Sequence, residues 1–339
     1  MTKRHVAALG LGLGALVVVA RSKDRSGVPS PAPEGVVHQP PPLQGAQRTV
    51  TTPDGVDLHV EVHGPDDAAG TVVLLHGYVQ SSRLWSGQVR DLVTARPDLR
   101  VVVYDHRGHG RSTATSREHA HLEQLGRDLR QVLDEVAGDG PVVLGGHSMG
   151  GMTMMAFAEQ FPEEFGKRVV GAAFVATSSG GLDAVTYGLP APVAKVVKKV
   201  LPKAYEKAVR DEAKGKTRPS TAFERRLVFP KGADPEHVRE VLEVQSRTTA
   251  ETMAAFLPTF SQHERAEALS ALAEVPAVVL VGDKDALCPL PHSRAIAAAL
   301  PKGELVVYPG VGHMVQVERR EEVSRRIVAL VDKVVPSLL

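Results

Sequence analysis

The sequence predicts an α/β fold with a mostly parallel central sheet and helices on both of its faces. Short runs of almost continuous apolar residues recur along the chain, as expected of strands that are buried on both faces. Helix-compatible stretches lie between these runs. With 339 residues, of which 43% are hydrophobic, the chain is long enough to form one large domain. The strand-like runs are residues 71–75, 100–104, 142–144 and 169–175, and the helix-compatible stretches include 83–95 and 118–136.

The first element, residues 1–21, is an apolar N-terminal segment that we interpret as a signal peptide or a membrane anchor. Lys3 and Arg4 precede an apolar stretch over residues 6–20, whose length suits a signal-peptide core better than a full membrane span. Arg21 follows at once, and positive charge there is unfavourable for translocation, which counts against cleavage of a signal peptide and leaves a short anchor open. We therefore expect an exported or membrane-anchored protein, with a cytoplasmic location as the alternative.

The next element, residues 22–47, is a proline-rich linker that includes three consecutive prolines at 40–42. Such a segment stays extended and semi-rigid, so we expect it to be a spacer. The folded domain, residues 48–339, then opens with two strand-like stretches, 50–52 and 57–63. A Pro-Asp-Gly turn separates them and predicts an antiparallel pair.

A Gly-x-Ser-x-Gly pattern, residues 146–150, stands between the run 142–144 and a helix-compatible stretch, 152–161. In that context the pattern predicts a nucleophile elbow, a tight turn that lifts the hydroxyl of Ser148 off the edge of the sheet. Glycine fills the positions that are too crowded for a side chain. The backbone N–H of Met149 begins the helix, where partial positive charge gathers, so it can stabilise a developing negative charge.

A serine nucleophile needs a base, and the base needs a carboxylate that orients it. Both residue types follow strand-like runs near the C-terminus. The run 275–281 leads into a loop that contains Asp283 and Asp285, and the run 304–308 leads into a loop that contains His313. Because these loops follow parallel strands, they are expected to lie at the same edge of the sheet as the elbow. A helix over 315–335 is expected to close the domain.

The alternation of strands and helices breaks between about residues 181 and 265, where charged helical sequence is interrupted by prolines. The first segment, residues 193–210, has five aliphatic residues on one helical face, with lysines elsewhere. Two interpretations stay open: an amphipathic helix packed on the body, or a basic helix that rests on an anionic membrane. The aliphatic residues are Val193, Val196, Val197, Val200 and Leu201.

From about residue 48 to its end, the chain resembles the α/β-hydrolase-fold serine hydrolases, the esterases, lipases and their relatives. Five motifs in the expected order carry the resemblance. It implies that the helical stretch at about 181–265 forms a lid over the active site. The motifs are His76-Gly77-Tyr78, Trp85, the Asp-His-Arg-Gly-His-Gly-Arg-Ser stretch at 105–112, the elbow, and the Gly-x-x-Asp-x-x-x-Pro loop at 282–289 with the Gly-His loop at 312–313.

The resemblance also implies a catalytic role for individual residues. Ser148 would be the nucleophile, and His313 would be the general base and then the general acid. Asp285 would orient the histidine, because its spacing within its loop matches the family pattern. The backbone N–H groups of Tyr78 and Met149 would form the oxyanion hole.

Several nearby residues have other interpretations. Asp283 lies in the same loop as Asp285 and is its competitor, although we interpret it as a turn residue. We expect His76 to be structural, packed beneath the oxyanion loop. Asp105 and Arg107 are interpreted as an ion pair that ties loops together. The histidines 106, 109 and 147 are expected to support the loops, and Trp85 and Cys288 to be buried packing residues.

Three apolar residues of the insertion, Phe256, Leu257 and Phe260, either line an acyl pocket or form the core of the lid. The net charge of +1 and the aromatic content of 4% predict no nucleic-acid partner. His263 and His292 have no spacing that suggests a metal, and neither a Cys-x-x-Cys pair nor a glycine-rich phosphate loop occurs, so we expect neither a metal nor a cofactor. The oligomeric state does not follow from the sequence.

The implied function is hydrolysis of a carboxylic ester, apolar or lipid-like, through a Ser-His-Asp triad and an acyl-enzyme. The expected partner is a small-molecule ester or lipid, with membrane association through the N-terminus as a further expectation. Other reactions of the same triad stay open: perhydrolysis of the haloperoxidase type, carbon–carbon bond hydrolysis, and acyl transfer to an alcohol. A non-catalytic, ligand-binding protein on this fold is a more remote alternative.

Overall fold

The computed structural model describes residues 43–216 and 222–337. The predicted N-terminal segment and the linker up to residue 42 lie outside the described residues. Eight strands form one sheet in the order β1-β2-β4-β3-β5-β6-β7-β8. Strand β2 runs antiparallel to β1 and β4, and the strands from β3 to β8 are parallel to one another. The strands are β1 (Ala46–Thr51), β2 (Asp57–His63), β3 (Gly70–Leu75), β4 (Leu99–Tyr104), β5 (Val142–His147), β6 (Val169–Val175), β7 (Ala277–Gly282) and β8 (Gly303–Tyr308).

The strands are where the apolar runs predict them, because both faces of the sheet are covered. Every residue of β3, β5 and β7 is buried. Strand β5 is longer than the predicted run 142–144, since it continues through two glycines to His147. At the first of these, Gly145, an added Cβ would lie 2.7 Å from Leu74 on the neighbouring strand, so the close packing of β3 against β5 requires glycine.

Helices cover both faces of the sheet. Helices α1 and α10 pack on one face, and α2, α3 and α8 pack on the other. Trp85, at the start of α1, is fully buried in the first of these layers, as predicted. The helices are α1 (Ser86–Ala95), α2 (Leu122–Val136), α3 (Met149–Gln160), α4 (Ala191–Glu212), α5 (Ala222–Val228), α6 (Pro235–Gln245), α7 (Ala250–Ser261), α8 (Leu290–Ala299), α9 (Val315–Glu318) and α10 (Arg320–Val334).

The predicted single helix over 315–335 is wrong in one respect, because the helix is interrupted at Arg319. This residue has φ −132° and ψ 46°, outside the helical region, and it separates α9 from α10. The break lets the two pieces pack in different directions. Val317 of α9 joins a cluster with residues of the insertion, whereas Val323 and Ile327 of α10 pack against the sheet.

The alternation of strands and helices stops between β6 and β7, as predicted. Helices α4 to α7 fill this stretch, which we call the helical insertion. Within the insertion, α4 packs on α7. None of the helices in residues 43–216 and 222–337 combines the length and apolar character that crossing a membrane requires.

Candidate active site

Ser148 lies at the junction of β5 and α3 with φ 52° and ψ −116°, a conformation that residues with a side chain rarely adopt. Two glycines make the turn sterically possible. A Cβ on Gly146 would lie 2.5 Å from the carbonyl carbon of Gly150, and a Cβ on Gly150 would lie 2.3 Å from the carbonyl oxygen of Leu75. The tight strand–turn–helix geometry that the Gly-x-Ser-x-Gly pattern predicts is therefore present.

Both backbone polar groups of Ser148, its N–H and its carbonyl, form hydrogen bonds. Its N–H donates to the carbonyl of Val175 over 2.9 Å, and its carbonyl accepts from the hydroxyl of Thr177 over 2.7 Å. Since Ser148 also precedes the first turn of α3, the positive end of the helix dipole lies next to its side chain. The strained turn is held in place by strand β6 and the residues after it.

The loops after β7 and β8 bring Asp285 and His313 into contact. Nδ1 of His313 lies 2.8 Å from Oδ2 of Asp285, and both side chains are buried. The other carboxylate oxygen accepts the backbone N–H groups of Leu287 and Cys288, at 2.8 and 2.9 Å. Because a carboxylate only accepts hydrogen bonds, Nδ1 carries the proton of the neutral imidazole, and Nε2 keeps its lone pair. This arrangement suits a general base.

Asp283, the competing carboxylate, has a different environment. It is exposed, and its Oδ1 accepts the backbone N–H of Gly310 over 2.7 Å. Its other oxygen lies 3.2 Å from the ammonium group of Lys284. The structure thus brings Asp285 to the imidazole of His313, and it uses Asp283 to join the two loops.

The elbow and the histidine loop are joined through His147, the residue before the serine. Its Nε2 lies 2.9 Å from the backbone oxygen of His313, and the two imidazole rings are 4.8 Å apart. No hydrogen bond joins the Ser148 hydroxyl to His313 within residues 43–216 and 222–337. Hydrogen bonds of this kind are often long or poorly aligned before substrate binds, so this geometry does not conflict with the roles predicted for the two residues.

The loop that contains Gly77 and Tyr78 lies against the elbow. A Cβ on Gly77 would be 3.1 Å from Cβ of Ser148, which shows how closely this backbone approaches the serine. The hydroxyl of Tyr78 donates to the carbonyl of Met253 in α7 over 2.6 Å. Met149 is fully buried at the start of α3. Tyr78 thus belongs to a loop that approaches the serine closely, and Met149 directly follows the serine in the chain.

Buried histidines support this loop from below. His76 accepts the backbone N–H of His106 at Nε2 over 2.9 Å, and its Nδ1 donates to the carbonyl of Gly77 over 2.7 Å. Burial lowers the pKa of His76, and burial lowers the pKa of His109 to about 3. Both imidazoles are neutral at pH 7, and the hydrogen bonds of His76 fit the structural role predicted for it.

An apolar cluster, which we call the Phe256 cluster, adjoins the elbow. Phe256 is fully buried in it and Phe260 is partly buried, with the ring of Phe260 stacked edge-to-face on Tyr78 at 5.0 Å. Leu257 is half-buried and lies outside the cluster. The structure thus brings two of the three predicted pocket residues to the elbow. The Phe256 cluster contains Met149, Phe256 and Cys288 among its buried members, with Tyr78 and Phe260 at its edge.

The expected ion pair between Asp105 and Arg107 is wrong. Arg107 is fully buried, and its guanidinium forms two hydrogen bonds with Asp128, both 2.7 Å, and two with Asp54, at 2.7 and 3.0 Å. Asp105 instead accepts backbone N–H groups, including that of Ser82 over 2.7 Å. The reason is geometric: a planar guanidinium satisfies two carboxylates at once, and both of its partners are distant in sequence.

Sequence reasoning missed Glu318, which supports the histidine loop. Its Oε1 accepts the backbone N–H of Gly312, next to His313, over 2.9 Å. Burial raises the pKa of Glu318 to about 7. This carboxyl also lines a polar cavity of about 230 Å³ that Ser148 does not line. The only sequence signal is an acidic residue that follows Val315 and Val317 shortly after the histidine loop.

Among the residues that the structure describes, no group of three or more histidine, cysteine or acidic side chains is placed to hold a metal ion. The groups that the site brings together are a hydroxyl group, an imidazole, a carboxylate and backbone N–H groups.

Residues 70–320 match the α/β hydrolase fold family. Because the match covers more than half of the chain and agrees with the sheet order and the elbow, the chain belongs to this family and is a hydrolase.

Individual relatives span almost the same length. The chain is similar to a bifunctional esterase/perhydrolase of Acinetobacter calcoaceticus, at 29% identity over 83% of this chain and 98% of that protein. It is also similar to a monoacylglycerol lipase of Mycolicibacterium smegmatis, at 30% identity over 77% of this chain and 87% of the lipase. Among solved structures, an esterase from Thermogutta terrifontis matches with a TM-score of 0.69 and 25% identity, over 86% of this chain and all of the other.

Proposed function

We propose that this protein cleaves carboxylic esters through Ser148, His313 and Asp285. The observation that carries the proposal is the 2.8 Å contact between the His313 imidazole and the Asp285 carboxylate, beside a serine held in a strained elbow. This contact fixes the tautomer in which Nε2 of His313 is free to accept a proton. The esterase and lipase relatives support ester hydrolysis as the reaction class.

In the proposed mechanism, His313 removes the proton of the Ser148 hydroxyl as the oxygen attacks the ester carbonyl. The carbonyl π electrons move to oxygen, and the backbone N–H groups of Tyr78 and Met149 donate to the resulting oxyanion. His313 then protonates the departing alcohol, which leaves an acyl-enzyme. Water, deprotonated by the same imidazole, attacks the acyl carbon. The bond from that carbon to the Ser148 oxygen then breaks, His313 returns the proton to the serine oxygen, and the acid is released. Asp285 stabilises the imidazolium that forms twice in this cycle.

The substrate is proposed to be apolar or lipid-like. The Phe256 cluster places aromatic and aliphatic side chains beside the elbow, and burial of each CH₂ of an acyl chain there contributes about 0.8 kcal/mol. The helical insertion supplies Phe256 and Phe260, and we assign it the role of a lid. Its position over Tyr78, through the bond from the Tyr78 hydroxyl to Met253, supports that role.

Perhydrolysis is the second candidate, because the Acinetobacter relative is described as a bifunctional esterase/perhydrolase. Hydrogen peroxide would replace water as the nucleophile that attacks the acyl-enzyme, and a peracid would be released in place of the acid. The same three residues serve both reactions.

We also propose, from the sequence alone, that the protein is exported or anchored in a membrane. Lys3 and Arg4, followed by the apolar stretch over 6–20, support export or membrane anchoring, with the proline-rich segment as the spacer. Fractionation of cells that express the full chain, compared with a chain that begins at Gln47, tests this: loss of the membrane or exported fraction in the shorter chain is expected. Equal distribution of both chains would contradict it.

The activity is tested with p-nitrophenyl esters of increasing acyl length, each assayed with and without hydrogen peroxide. The full chain should hydrolyse them, and Ser148→Ala should lose activity by at least about a thousandfold. The matched control is Ser270→Ala, since Ser270 is exposed and its hydroxyl only bonds to the carbonyl of Glu267. Turnover by Ser148→Ala equal to that of Ser270→Ala would overturn the proposal. Formation of peracid would favour the second candidate.

A further inference from the structure

The outer face of α4 exposes an unusual set of apolar side chains. Val193, Val196 and Val200 are 37%, 53% and 39% exposed. They are three of the five large hydrophobic residues that are exposed in the described part of the chain. Their spacing of three and four residues places them in one stripe along the helix. An apolar stripe of this kind in water indicates a surface that is covered in another setting.

The adjacent face of the helix is already packed. Ala194 is 3% exposed, and Val197 and Leu201 are half-buried. This face packs against α7. The five aliphatic residues that the sequence places on one face are therefore divided: two face the protein and three face solvent. Packing of α4 against the rest of the protein does not explain why the exposed positions 193, 196 and 200 hold valine.

Lysines border the exposed valines on the side away from the packed face. Lys195, Lys199 and Lys203 are all exposed, and none of them forms an ion pair with another described residue. Residues 191–203 contain no acidic residue. The first acidic side chain along the helix, Glu206, bonds to Arg117 over 2.6 Å. The exposed surface of α4 is thus apolar along the edge next to the packed face and cationic beyond it. We call it the basic valine face, comprising Val193, Val196, Val200, Lys195, Lys199 and Lys203.

We propose that the basic valine face docks on the surface of an anionic phospholipid membrane, with α4 lying in the plane of the interface. Short apolar side chains enter the boundary between headgroups and acyl chains, while the lysine side chains extend to the anionic headgroups. Each lysine near such a surface contributes attraction that salt screens. The contact is peripheral, since α4 would lie on the surface of the bilayer and would not cross it.

Two other occupants fit this face poorly. In a symmetric dimer through α4, the lysines of one copy would face those of the other, and like charges repel. The N-terminal 42 residues of the same chain hold five basic and two acidic residues, so their charge has the same sign as the face. An anionic bilayer matches both the apolar stripe and the positive charge.

Docking in this orientation would bring the proposed active site to the lipid. Helix α4 packs on α7, and α7 carries Phe256 and Phe260 of the cluster beside Tyr78. One helical layer thus separates the docked surface from the apolar cluster. This consequence rests on the proposed function, but the docking itself does not.

A fluorophore placed on the face reports docking directly, whatever the N-terminal segment does. Cys288 is buried, so Val196→Cys adds a single accessible thiol for a polarity-sensitive nitrobenzoxadiazole label. The control label is placed at Ser270→Cys, an exposed position outside the insertion. The full chain is titrated with vesicles of pure phosphatidylcholine and with vesicles that contain phosphatidylserine.

We expect a blue shift and stronger emission at position 196 with phosphatidylserine vesicles, and no change at position 270. Adding Lys195→Gln, Lys199→Gln and Lys203→Gln should weaken this response on the order of a hundredfold. The charge-matched control changes the exposed residues Lys167, Lys231 and Lys333 to glutamine, and it should keep the response. No change at position 196, an equal change on neutral vesicles, or an equal loss in both triple variants would overturn the proposal.

Discussion

The imidazole of His147 donates from Nε2 to the backbone carbonyl of His313 over 2.9 Å, so the residue before the proposed nucleophile is bonded to the proposed base. Burial lowers the pKa of His147 well below its usual value, and the ring is neutral. Its Nε2 must carry the hydrogen, because a carbonyl oxygen only accepts. This bond joins the elbow to the histidine loop.

Loss of that bond should reduce turnover without changing the fold. His147→Phe removes the donor and keeps a ring of similar size, so we expect kcat to fall about tenfold to a hundredfold with a smaller change in KM. His147→Gln keeps an N–H that reaches the same carbonyl, and it should recover most of the activity. Steady-state kinetics, with urea unfolding of each variant, provide the measurement. A kcat for His147→Phe equal to that of the parent would show that the bond does not position His313.

The two carboxylates of one loop should differ sharply in their effect on catalysis. Asp285→Asn turns an oxygen that accepts from His313 into an amide, which favours the wrong tautomer of the imidazole, and kcat should fall about 10³- to 10⁴-fold. Asp283→Asn keeps an oxygen for the N–H of Gly310, and kcat should stay within about twofold. Comparison of the two purified variants on one ester settles the assignment. A larger loss in Asp283→Asn would reverse it.

The sheet and the order of the site residues could be predicted because they depend on local patterns. Strands that are buried on both faces must be apolar along their whole length, so runs such as 169–175 mark them directly. The crowded turn at Ser148 requires glycine at fixed offsets, which the printed sequence shows.

Features that depend on distant parts of the chain could not be predicted. Arg107 bonds to carboxylates 53 and 21 residues away, and nothing in its own loop indicates either partner. No glycine or proline marks the interruption at Arg319. The two helices on either side of it pack in different apolar clusters, which involve distant parts of the chain. The division of the α4 valines between two faces likewise depends on where α7 lies.

The buried pair of Arg107 and Asp128 should be essential for stability. Both side chains are almost fully inaccessible, so Arg107→Met leaves the Asp128 carboxylate buried without its counter-charge. We expect a loss of about 3–5 kcal/mol in the free energy of unfolding. Arg111→Met is the control, since that guanidinium is 53% exposed beside Glu61 and should cost less than about 1 kcal/mol. Urea unfolding measures both, and equal effects would contradict the role of burial.

Glu318 should make stability depend on pH between about 4.5 and 7. Burial raises the pKa of its carboxyl from 4.5 to about 7, so the folded state binds more protons than the unfolded state in this window. The stability that the protonated carboxyl confers is therefore complete below pH 4.5 and is lost as the pH rises to 7.

Glu318→Gln removes the ionisation and keeps an oxygen for the N–H of Gly312. Because Glu318 is only partly buried and solvent screens its charge, this variant should gain on the order of 1 kcal/mol in unfolding free energy over the parent between pH 5 and pH 8. Glu321→Gln, an exposed position on the next helix, is the control and should follow the parent at both pH values. A constant difference between Glu318→Gln and the parent over this range would contradict the raised pKa.

The central claim is that Ser148 is an activated nucleophile. The most direct measurement is reaction of the full chain with a fluorophosphonate, followed by mass-spectrometric location of the modified residue. The account predicts stoichiometric labelling of Ser148, slowed strongly in His313→Ala and absent in Ser148→Ala. Labelling of another residue, or an unlabelled folded protein, would contradict it.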